Sequence, residues 1–345
     1  MHSQVNKGEM TQPTLKSIDL FAGIGGIRKG FEQAFGKKLS TVFVSELDKF
    51  AQKTYRYNFS TPSTIQGDIR QINAEDIPPF DICLAGFPCQ AFSMAGHRKG
   101  FDDDHHGINR GELFFEVSRI CEHHKPKVIF CENVKGLLSH NKGETYKRIE
   151  DELTRIGYKP FKQILNSRNF GVPQNRERLY IVAFREDIAP ERFEFPSHEV
   201  TTKTIRDIME KEAVSVKYYL SVQYLETLRK HKINQAKKGN GFSYDVRSLD
   251  TYANTIICGG MGRERNLIVD HRQTDLTPIT HIVGEVNKDG IRRMTPREWA
   301  RLQGFDDSFQ LKLADVHLYK QLGNSVTVSV IKAIAELIKK ELTLG

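Results

Sequence analysis

The stretch Asp19-Leu20-Phe21-Ala22-Gly23-Ile24-Gly25-Gly26 follows a short apolar run and precedes a segment with helical spacing. Its glycines, Gly23, Gly25 and Gly26, permit a tight turn and a close approach of the backbone to a ligand at a helix N-terminus. A strand, a glycine-rich turn and a helix in this order indicate the first unit of an α/β sheet that binds a nucleotide-like ligand. A dinucleotide fingerprint would require glycine where Arg28 stands, which favours a smaller nucleoside cofactor such as S-adenosylmethionine.

The first half of the chain repeats this pattern of a short apolar run followed by apolar residues about 3.6 positions apart. Such alternation is typical of βαβ units and predicts an α/β fold with a mostly parallel sheet. The predicted strands are Ser17–Phe21, Thr41–Glu46, Phe80–Ala85, Lys127–Cys131 and Arg178–Phe184. The predicted helices are Ile27–Phe35, Asp48–Asn58, Glu112–His123 and Glu144–Ile156, with Val326–Leu342 as a final amphipathic helix.

The chain has 345 residues, more than the roughly 250–300 at which a single hydrophobic core stops growing, so two domains are expected. The βαβ pattern ends near Pro196, after which short apolar runs, glycines and basic stretches are mixed. This change in pattern predicts a sheet domain and a smaller irregular domain, with the boundary near residue 196.

Composition excludes several classes of protein. Hydrophobic residues make up 39% and charged residues 27%, which excludes wholesale disorder, and no apolar run approaches the roughly 18 residues of a membrane span. The polar segment Met1–Lys7 lacks the apolar core of a signal peptide, so we expect a cytoplasmic protein. The net charge of +8 permits a polyanionic partner. Scattered cysteines without a CxxC pair predict neither a disulfide framework nor a metal site.

Two acidic residues follow predicted strands at the edge where open α/β sheets bind their ligands. Glu46 ends the second strand and is placed to accept hydrogen bonds from two ribose hydroxyls. Asp68 follows Gly67 and is a candidate acceptor for an adenine amino group. Either acid alone is as often an ordinary solvated residue, but their order after the glycine-rich turn favours a nucleoside cofactor site.

Cys89 follows Pro88 in a predicted loop at the same edge of the sheet. A cysteine attacks as a thiolate, so it needs a positive environment or a helix N-terminus. Glu132 ends a neighbouring apolar strand, where partial burial would raise its pKa and make it a proton donor. The remaining cysteines are interpreted as inert core residues, namely Cys83, Cys121, Cys131 and Cys258.

Six ordered blocks resemble the bacterial DNA (cytosine-5)-methyltransferases, over about residues 16–335. The blocks are Asp19–Gly26, Gly86–Ser93, Glu132–Val134, Gln174–Arg178, Arg297-Glu298 with Arg301–Phe305, and Gln321–Val326. The resemblance implies a Rossmann-like catalytic and cofactor-binding domain of residues 1–195 and 310–345, which binds S-adenosyl-L-methionine and to which the final helix returns. It also implies a target-recognition domain of residues 196–309 and the methylation of cytosine C5 in double-stranded DNA.

The resemblance implies roles for individual residues. Cys89 would add to C6 of a flipped cytosine, and Glu132 would protonate or hydrogen-bond N3. Arg178 would hold the flipped base, and Arg176 would support the site or a phosphate. The implied cofactor residues are Phe21, Gly23, Gly25, Gly26, Glu46, Leu47, Asp68, Ile69, Pro88, Leu113, Asn324 and Ser325. Expected DNA-binding residues near the nucleophile are Gln90, Ser93 and Arg98.

Within residues 196–309, Arg263-Glu264-Arg265 is a candidate reader of G·C-rich DNA, because arginine pairs with guanine and glutamate with cytosine in the major groove. Lys217–Ser221, Leu228–Lys232 and Gly259–Leu267 are similar to the HpaII type of the family, which implies the palindrome CCGG with its inner cytosine methylated. The protein would then be the protective arm of a restriction-modification system, paired with a restriction endonuclease of the same specificity. It is expected to be a monomer.

Three alternatives stay open. A cytosine-5 methyltransferase acting on RNA would keep Cys89 and Glu132, although a tRNA-modifying relative would not need the whole of residues 196–309. A catalytically inactive DNA-binding protein would share the scaffold, and a dinucleotide oxidoreductase is disfavoured by Arg28. One departure from the family is residues 96–111, where the loop that closes over DNA is longer and more acidic than usual.

Overall fold

The computed structural model describes residues 15–60, 64–88, 104–105, 108–109, 113–197, 199–239, 243–279 and 284–344. Its strands are Leu15–Leu20 (β1), Leu39–Ser45 (β2), Ile82–Ala85 (β3), Asp104–His105 (β4), Ile108–Asn109 (β5), Val128–Val134 (β6), Tyr158–Asn166 (β7), Gln174–Asn175 (β8), Glu177–Arg185 (β9), Ala253–Asn254 (β10), Ile268–Val269 (β11) and Ile291–Arg292 (β12). Its α-helices are Gly26–Phe35 (α1), Lys49–Asn58 (α2), Leu113–His124 (α3), Glu144–Arg155 (α4), Val222–Lys237 (α5), Pro296–Leu302 (α6), Asp315–Asn324 (α7) and Val328–Leu344 (α8).

Within this described part, the central sheet has six strands in the order β2-β1-β3-β6-β9-β7. The first four are parallel to one another, whereas β9 runs antiparallel to β6 and β7 antiparallel to β9. Leu20 pairs with Ala85, and Ala85 pairs with Cys131. The residues that follow these three positions therefore emerge at one edge of the sheet, which brings the glycine-rich turn, Gly86 and Glu132 together.

The predicted α/β class and its mostly parallel sheet are confirmed, and each predicted strand overlaps an observed one. The sequence pattern missed β7, because this strand lies at the edge of the sheet and carries exposed polar residues such as Lys162 and Gln163. It also missed α5, in which only Leu225 and Leu228 are buried. A helix with so narrow an apolar face gives little periodic signal.

The sheet is covered on both faces by helices. Helices α3 and α4 pack on one face, and α1 and α8 pack on the other. A Cβ atom at Gly30 of α1 would lie 2.6 Å from the Ile331 side chain of α8, so the two helices can approach only with glycine at this position. The final helix therefore packs on the sheet, as the resemblance to the family implied.

A third core joins the predicted domains. Ile24 and Ala51 from the sheet side pack with Ile205, Trp299 and Phe305. The packing is thus continuous across residues 196–309, called the irregular region below, and the rest of the chain; the boundary residues themselves stay a prediction. No helix in the described residues has both the length and the apolar character needed to cross a bilayer. No group of three or more His, Cys, Asp or Glu side chains in those residues is arranged to hold a metal ion.

Candidate active site and cofactor cavity

A cavity of about 300 Å³ opens at the edge of the sheet where the parallel strands end. Every predicted cofactor residue except Gly25 lines it, namely Phe21, Gly23, Gly26, Glu46, Leu47, Asp68, Ile69, Pro88, Leu113, Asn324 and Ser325. Glu132 lines it as well. The structure thus gathers segments that lie about 300 positions apart in the sequence into one pocket, in the place where α/β sheets bind ligands.

The glycine-rich turn forms one wall of this cavity. Phe21 has a φ of 54°, a strained conformation for a residue with a side chain, and Gly23 follows with a φ of 55°. A Cβ atom at Gly26 would lie 2.8 Å from Ser325 Oγ, so glycine allows α1 to approach the segment before α8. Gly25, with a φ of 83°, instead packs beneath the turn, where a Cβ atom would lie 2.3 Å from the Phe59 ring.

Glu46 closes the turn from the end of β2. Its Oε2 accepts a hydrogen bond from the Gly23 backbone N–H at 2.8 Å, and its Oε1 accepts one from the Asp48 N–H at 2.7 Å. Burial raises the pKa of Glu46, while these two backbone hydrogen bonds act in the opposite direction. Each carboxylate oxygen keeps a free lone pair, so the geometry is compatible with the predicted contacts to ribose hydroxyls.

Asp68 lines the cavity, but its carboxylate already has a partner. Arg70 donates to it at 2.6 Å, and the same carboxylate caps the short turn that begins at Ile69. The hydrogen bond from Arg70 lowers the pKa of Asp68, so the group is held ionised as an acceptor. Leu47 lies beside it on the rim, with 59% of its surface exposed.

Glu132, which lines the cavity, pairs with Arg178. Strands β6 and β9 are antiparallel, and Arg178 pairs with Val134, which lies on the same face of β6 as Glu132. This arrangement brings Arg178 Nε within 3.3 Å of Glu132 Oε1. Glu132 is 9% exposed, and burial raises its pKa although Arg178 and then Arg176 act to lower it. The carboxyl group is therefore buried, and the nearby guanidinium groups offset only part of the effect of burial on its pKa.

The Arg176 side chain lies in the interior of the protein. It is 2% exposed and donates to the backbone carbonyls of Ile256 at 2.9 Å and Ser325 at 2.6 Å. The predicted role in supporting the site fits this geometry, whereas a contact between the buried Arg176 and a phosphate does not. The guanidinium thus ties the irregular region to the cofactor segment before α8.

The cysteines divide into two groups. Cys83, Cys121 and Cys131 are buried, as predicted, and burial raises the pKa of Cys83 and Cys131 well above the usual range. Cys258 does not belong to the core, so that interpretation was wrong: it is partly exposed, and its Sγ donates to Asn324 Oδ1 at 2.7 Å. A glycine-rich loop and not an apolar strand carries Cys258, which explains the difference.

Several predicted site residues lie outside the described part of the chain. These are the proposed nucleophile and three expected DNA contacts, Cys89, Gln90, Ser93 and Arg98. Most of the long acidic loop at residues 96–111 lies outside it too. Pro88, which directly precedes Cys89, lines the cavity.

The three candidate base-reading residues face different environments. Arg263 is exposed, and Arg265 is partly buried. Glu264 is 2% exposed, and its Oε1 accepts hydrogen bonds from Arg293 Nε at 2.9 Å and Tyr224 Oη at 3.2 Å. A contact between Glu264 and a base would require this pairing to open, so the predicted reading role has no support in this geometry.

Sequence reasoning also missed a buried network beneath the turn. Asp19 Oδ2 accepts a hydrogen bond from Tyr55 Oη at 2.9 Å, and Arg28 donates to the same hydroxyl at 3.2 Å. The Arg28 guanidinium lies 4.7 Å from the centre of the Phe59 ring. In the sequence, Arg28 stands out as the residue that interrupts a dinucleotide fingerprint. Its position in a helix among apolar neighbours is the signal that it is buried.

The residues around the cavity fit a nucleoside that carries an amino acid. Phe21, Leu47 and Ile69 supply apolar surface for a base, and Glu46 supplies acceptors for hydroxyl groups. Apolar surface beside hydrogen-bond acceptors is compatible with the nucleoside part of S-adenosylmethionine.

Comparisons with known proteins agree with this geometry. Residues 15–340 match the family described as C-5 cytosine-specific DNA methylase. The Type II methyltransferase M.HpaII of Haemophilus parainfluenzae is 52% identical over 329 residues, which cover 94% of this chain and 89% of that protein. The Type II methyltransferase M.NlaX of Neisseria lactamica is 42% identical, over 95% of this chain and 97% of that protein.

Solved structures share the fold. The Entamoeba histolytica methyltransferase EhMeth superposes with a TM-score of 0.75 at 21% identity, covering 96% of this chain and 99% of that one. The S. pombe Dnmt2 methyltransferase superposes with a TM-score of 0.69 at 21% identity, covering 95% of this chain and 99% of that one. The predicted Rossmann-like methyltransferase fold is confirmed by these neighbours. The family match over nearly the whole sequence then confirms the resemblance: the chain belongs to the C-5 cytosine-specific DNA methylases, enzymes whose methyl donor is S-adenosylmethionine.

Proposed function

We propose that this enzyme methylates the inner cytosine of CCGG in double-stranded DNA, through a covalent bond between Cys89 and C6 of a flipped base. The observation that carries the proposal is the pairing of Arg178 with Glu132, a buried carboxyl group in the wall of the cofactor cavity. A carboxyl group with a raised pKa beside a guanidinium offers a proton and two kinds of hydrogen-bond donor to the N3 and O2 edge of a cytosine.

Cytosine C5 is a poor nucleophile and requires activation. In the proposed reaction the Cys89 thiolate forms a bond to C6, and the electron pair of the C5–C6 double bond moves toward C5. Glu132 gives or shares its proton at N3, which offsets the charge that develops on the ring. Bound S-adenosylmethionine supplies an electrophilic methyl group. After methylation, loss of the C5 proton to a base and release of the thiolate restore the aromatic ring.

The target atoms of a base pair cannot be reached inside a duplex, so the cytosine must leave the stack. Arg178 is proposed to hold the flipped base, because its Nε already faces Glu132. Arg176 supports this arrangement from below through its hydrogen bonds to Ile256 and Ser325. The cofactor residues named above are proposed to hold the methyl donor in the cavity beside the base.

The specificity rests on the irregular region. Similarity to the HpaII type implies CCGG, and 52% identity to a relative named M.HpaII supports it. Arg263 and Arg265 are proposed as contacts to guanine or phosphate, with Gln90, Ser93 and Arg98 near the flipped base. Relatives named Type II methyltransferases support a pairing with a restriction endonuclease of the same specificity. We propose that the enzyme acts as a monomer in the cytoplasm.

Transfer of a labelled methyl group from S-adenosylmethionine to short substrates tests the reaction and its site. The substrates are a CCGG duplex, the same duplex with its inner cytosines already methylated, a scrambled G·C-rich duplex and tRNA. Label on the unmethylated CCGG duplex alone is expected. Label on other DNA would overturn the specificity, and label on tRNA alone would overturn the DNA substrate.

A duplex with 5-fluorocytosine at the inner position tests the covalent step. With S-adenosylmethionine present, C5 carries both fluorine and the transferred methyl group after methylation. Fluorine cannot leave as a proton does, so the thiolate is not eliminated and the enzyme should stay bonded to the DNA in a complex that survives denaturing gel electrophoresis. The Cys89→Ser variant is expected to form no such complex. A stable complex with Cys89→Ser would show that another residue is the nucleophile.

A further inference from the structure

Helix α5 of the irregular region carries a basic surface. Residues 222–238 contain one acid, Glu226, and five cations, which are Arg229, Lys230, Lys232, Lys237 and Lys238. All six of these side chains are exposed. Within the part of the chain that the structure describes, no carboxylate forms an ion pair with Lys230 or Lys237. The positive charge of this surface is therefore not neutralised by neighbouring acids.

The two lysines lie on one face of the helix. Lys230 and Lys237 are seven positions apart, which is about two turns of an α-helix, so their side chains point in nearly the same direction. Leu225 and Leu228 are buried and hold the helix to the rest of the irregular region. At about 100° per residue, the two lysines lie on the side of the helix opposite to the two leucines. Lys230 and Lys237 are called the outer face of α5 below.

The first turns of α5 contact the segment that carries the candidate base-reading residues. Tyr224 Oη donates a hydrogen bond to Glu264 Oε1 at 3.2 Å, and Met261 packs against the buried leucines of α5. Glu264 thus points toward the helix, while its neighbour Arg263 is exposed. The basic helix therefore begins beside the segment for which DNA contacts are proposed.

The helix is long enough to extend past a site of four base pairs. From Leu228, its last buried residue, to Lys237 the helix rises about 14 Å at 1.5 Å per residue. Four base pairs of B-DNA span a similar length, about 14 Å at 3.4 Å per base pair. Lys230 and Lys237 are about 10 Å apart along the axis, which is about the rise of three nucleotides of one strand. Each lysine can therefore reach its own phosphate.

We propose that the outer face of α5 binds the phosphates of duplex DNA outside the recognised CCGG. Exposed and unpaired lysines complement the negative charge of a duplex, and their binding to phosphates releases counterions. Contacts of this kind position a protein on DNA without reading its sequence. The inference rests on the DNA substrate and the site proposed above, and it adds a surface that holds the flanking duplex.

The double variant Lys230→Gln/Lys237→Gln tests the outer face. Fluorescence anisotropy over a salt series measures the Kd for a duplex of about 30 base pairs with one central CCGG, with S-adenosylhomocysteine present to prevent turnover. We expect Kd to rise about 5- to 20-fold, and the slope of log affinity against log salt to decrease by about two, one for each lost phosphate contact. A scrambled duplex of the same length should lose affinity by the same factor, because phosphate contacts carry no sequence information.

Lys37→Gln/Lys38→Gln is the matched control, since it removes the same charge from another surface. Both lysines are exposed and directly precede β2, at the opposite end of this strand from the cavity. This control is expected to leave Kd within about twofold. Lys230→Arg/Lys237→Arg, which keeps both charges, should bind like the wild type. A hairpin with a CCGG stem of about 8 base pairs offers little flanking duplex, so its Kd should differ less than about twofold between Lys230→Gln/Lys237→Gln and the wild type.

The wild type separates this inference from the proposed function. If it prefers the CCGG duplex to the scrambled one, and Lys230→Gln/Lys237→Gln binds the long duplex equally well, the outer face of α5 does not bind DNA and the proposed function stands. A wild type that binds tRNA in preference to both duplexes would overturn the proposed substrate as well. An equal loss in the Lys37→Gln/Lys38→Gln control would show that net charge and not this face determines binding. An equal loss on the short hairpin would place the contact within the recognised site, and either result would overturn the inference.

Discussion

Buried carboxyl groups behave in opposite ways in the two regions of the molecule. At the carboxyl edge of the sheet, burial raises the pKa of Asp19, Glu46 and Glu132. In the irregular region, burial also acts to raise the pKa of Asp270, but hydrogen bonds from Arg272 and then Arg292 lower it. The difference lies in how completely cations occupy the carboxylate oxygens.

The irregular region pairs its buried acids fully. Arg292 is 0% exposed and donates two hydrogen bonds to Glu298, at 2.7 and 2.8 Å. The same guanidinium donates to Asp270 at 2.9 Å, and Arg272 completes the pairing of that acid. The pair of Arg292 and Glu298 holds β12 to α6.

The sheet edge leaves its acids partly paired. Glu132 has Arg178 at 3.3 Å, and Asp19 accepts a hydrogen bond from the Tyr55 hydroxyl at 2.9 Å. A buried acid that lacks a close cation binds its proton more tightly, which suits proton transfer near neutral pH. The comparison predicts that substitutions at the sheet edge change chemistry and proton uptake, whereas substitutions in the irregular network change stability.

The largest effect is expected for Glu132→Gln. The amide keeps the shape of the side chain but cannot give a proton to N3, so kcat for methyl transfer should fall by about 10²- to 10⁴-fold. Burial of a neutral amide in place of a partly paired acid should leave the Tm unchanged or slightly higher. Steady-state methyl transfer and thermal unfolding measure the two quantities. A Glu132→Gln enzyme with wild-type kcat would show that methyl transfer does not depend on a proton from Glu132.

Arg292→Met is expected to act on stability instead. Removing the cation leaves Glu298 and Asp270 buried without it, which should cost about 3–5 kcal/mol in the free energy of unfolding. The control is Arg206→Met, because the exposed pair of Arg206 and Asp250 is expected to contribute at most about 1 kcal/mol. Urea unfolding measures both variants. An equal decrease in the free energy of unfolding of both variants would show that the buried network contributes no more to stability than an exposed ion pair.

The pH dependence of stability tests Asp19. Its pKa is raised from 3.8 to about 7, so between these values the folded protein holds a proton that the unfolded chain has lost. Stability should therefore fall as pH rises from about 4 to about 7, by up to about 1.4 kcal/mol per pH unit. Asp19→Asn should flatten this part of the Tm profile. An unchanged slope in Asp19→Asn would show that another group carries the effect.

The smallest effects are expected at the candidate DNA contacts. Arg263→Ala should weaken binding to DNA of any sequence by a few-fold if Arg263 contacts a phosphate, and should reduce the slope of log affinity against log salt by about one. Glu264→Gln should leave the ranking of duplexes unchanged, because Glu264 holds Arg293 in the interior. Fluorescence anisotropy over a salt series measures both. A changed ranking in Glu264→Gln would restore its role in reading a base.

Much of the fold and of the cofactor site was predictable, because the signals are local. The turn at Gly23–Gly26, the apolar strands and the amphipathic final helix depend on backbone freedom and on side-chain periodicity within a few residues. The polar edge strand β7 and the polar helix α5 gave weak periodic signals and were missed. The burial of Glu264 was not predictable, since sequence does not tell which residue of a basic and acidic cluster turns inward.

By itself the sequence determined the order of the motifs, the α/β class, the family and the cofactor, since these follow from local backbone preferences and from the chemical identity of residues in fixed blocks. The tertiary structure alone decided which distant groups meet. Thr54 and Gln321 are 267 positions apart and share a hydrogen bond, and Glu132 meets Arg178 only through the antiparallel pairing of β6 and β9. The tertiary structure also sets the proton affinity of the buried carboxyl groups. This affinity depends on burial and on the distance to the nearest cation, and both are properties of the packed chain.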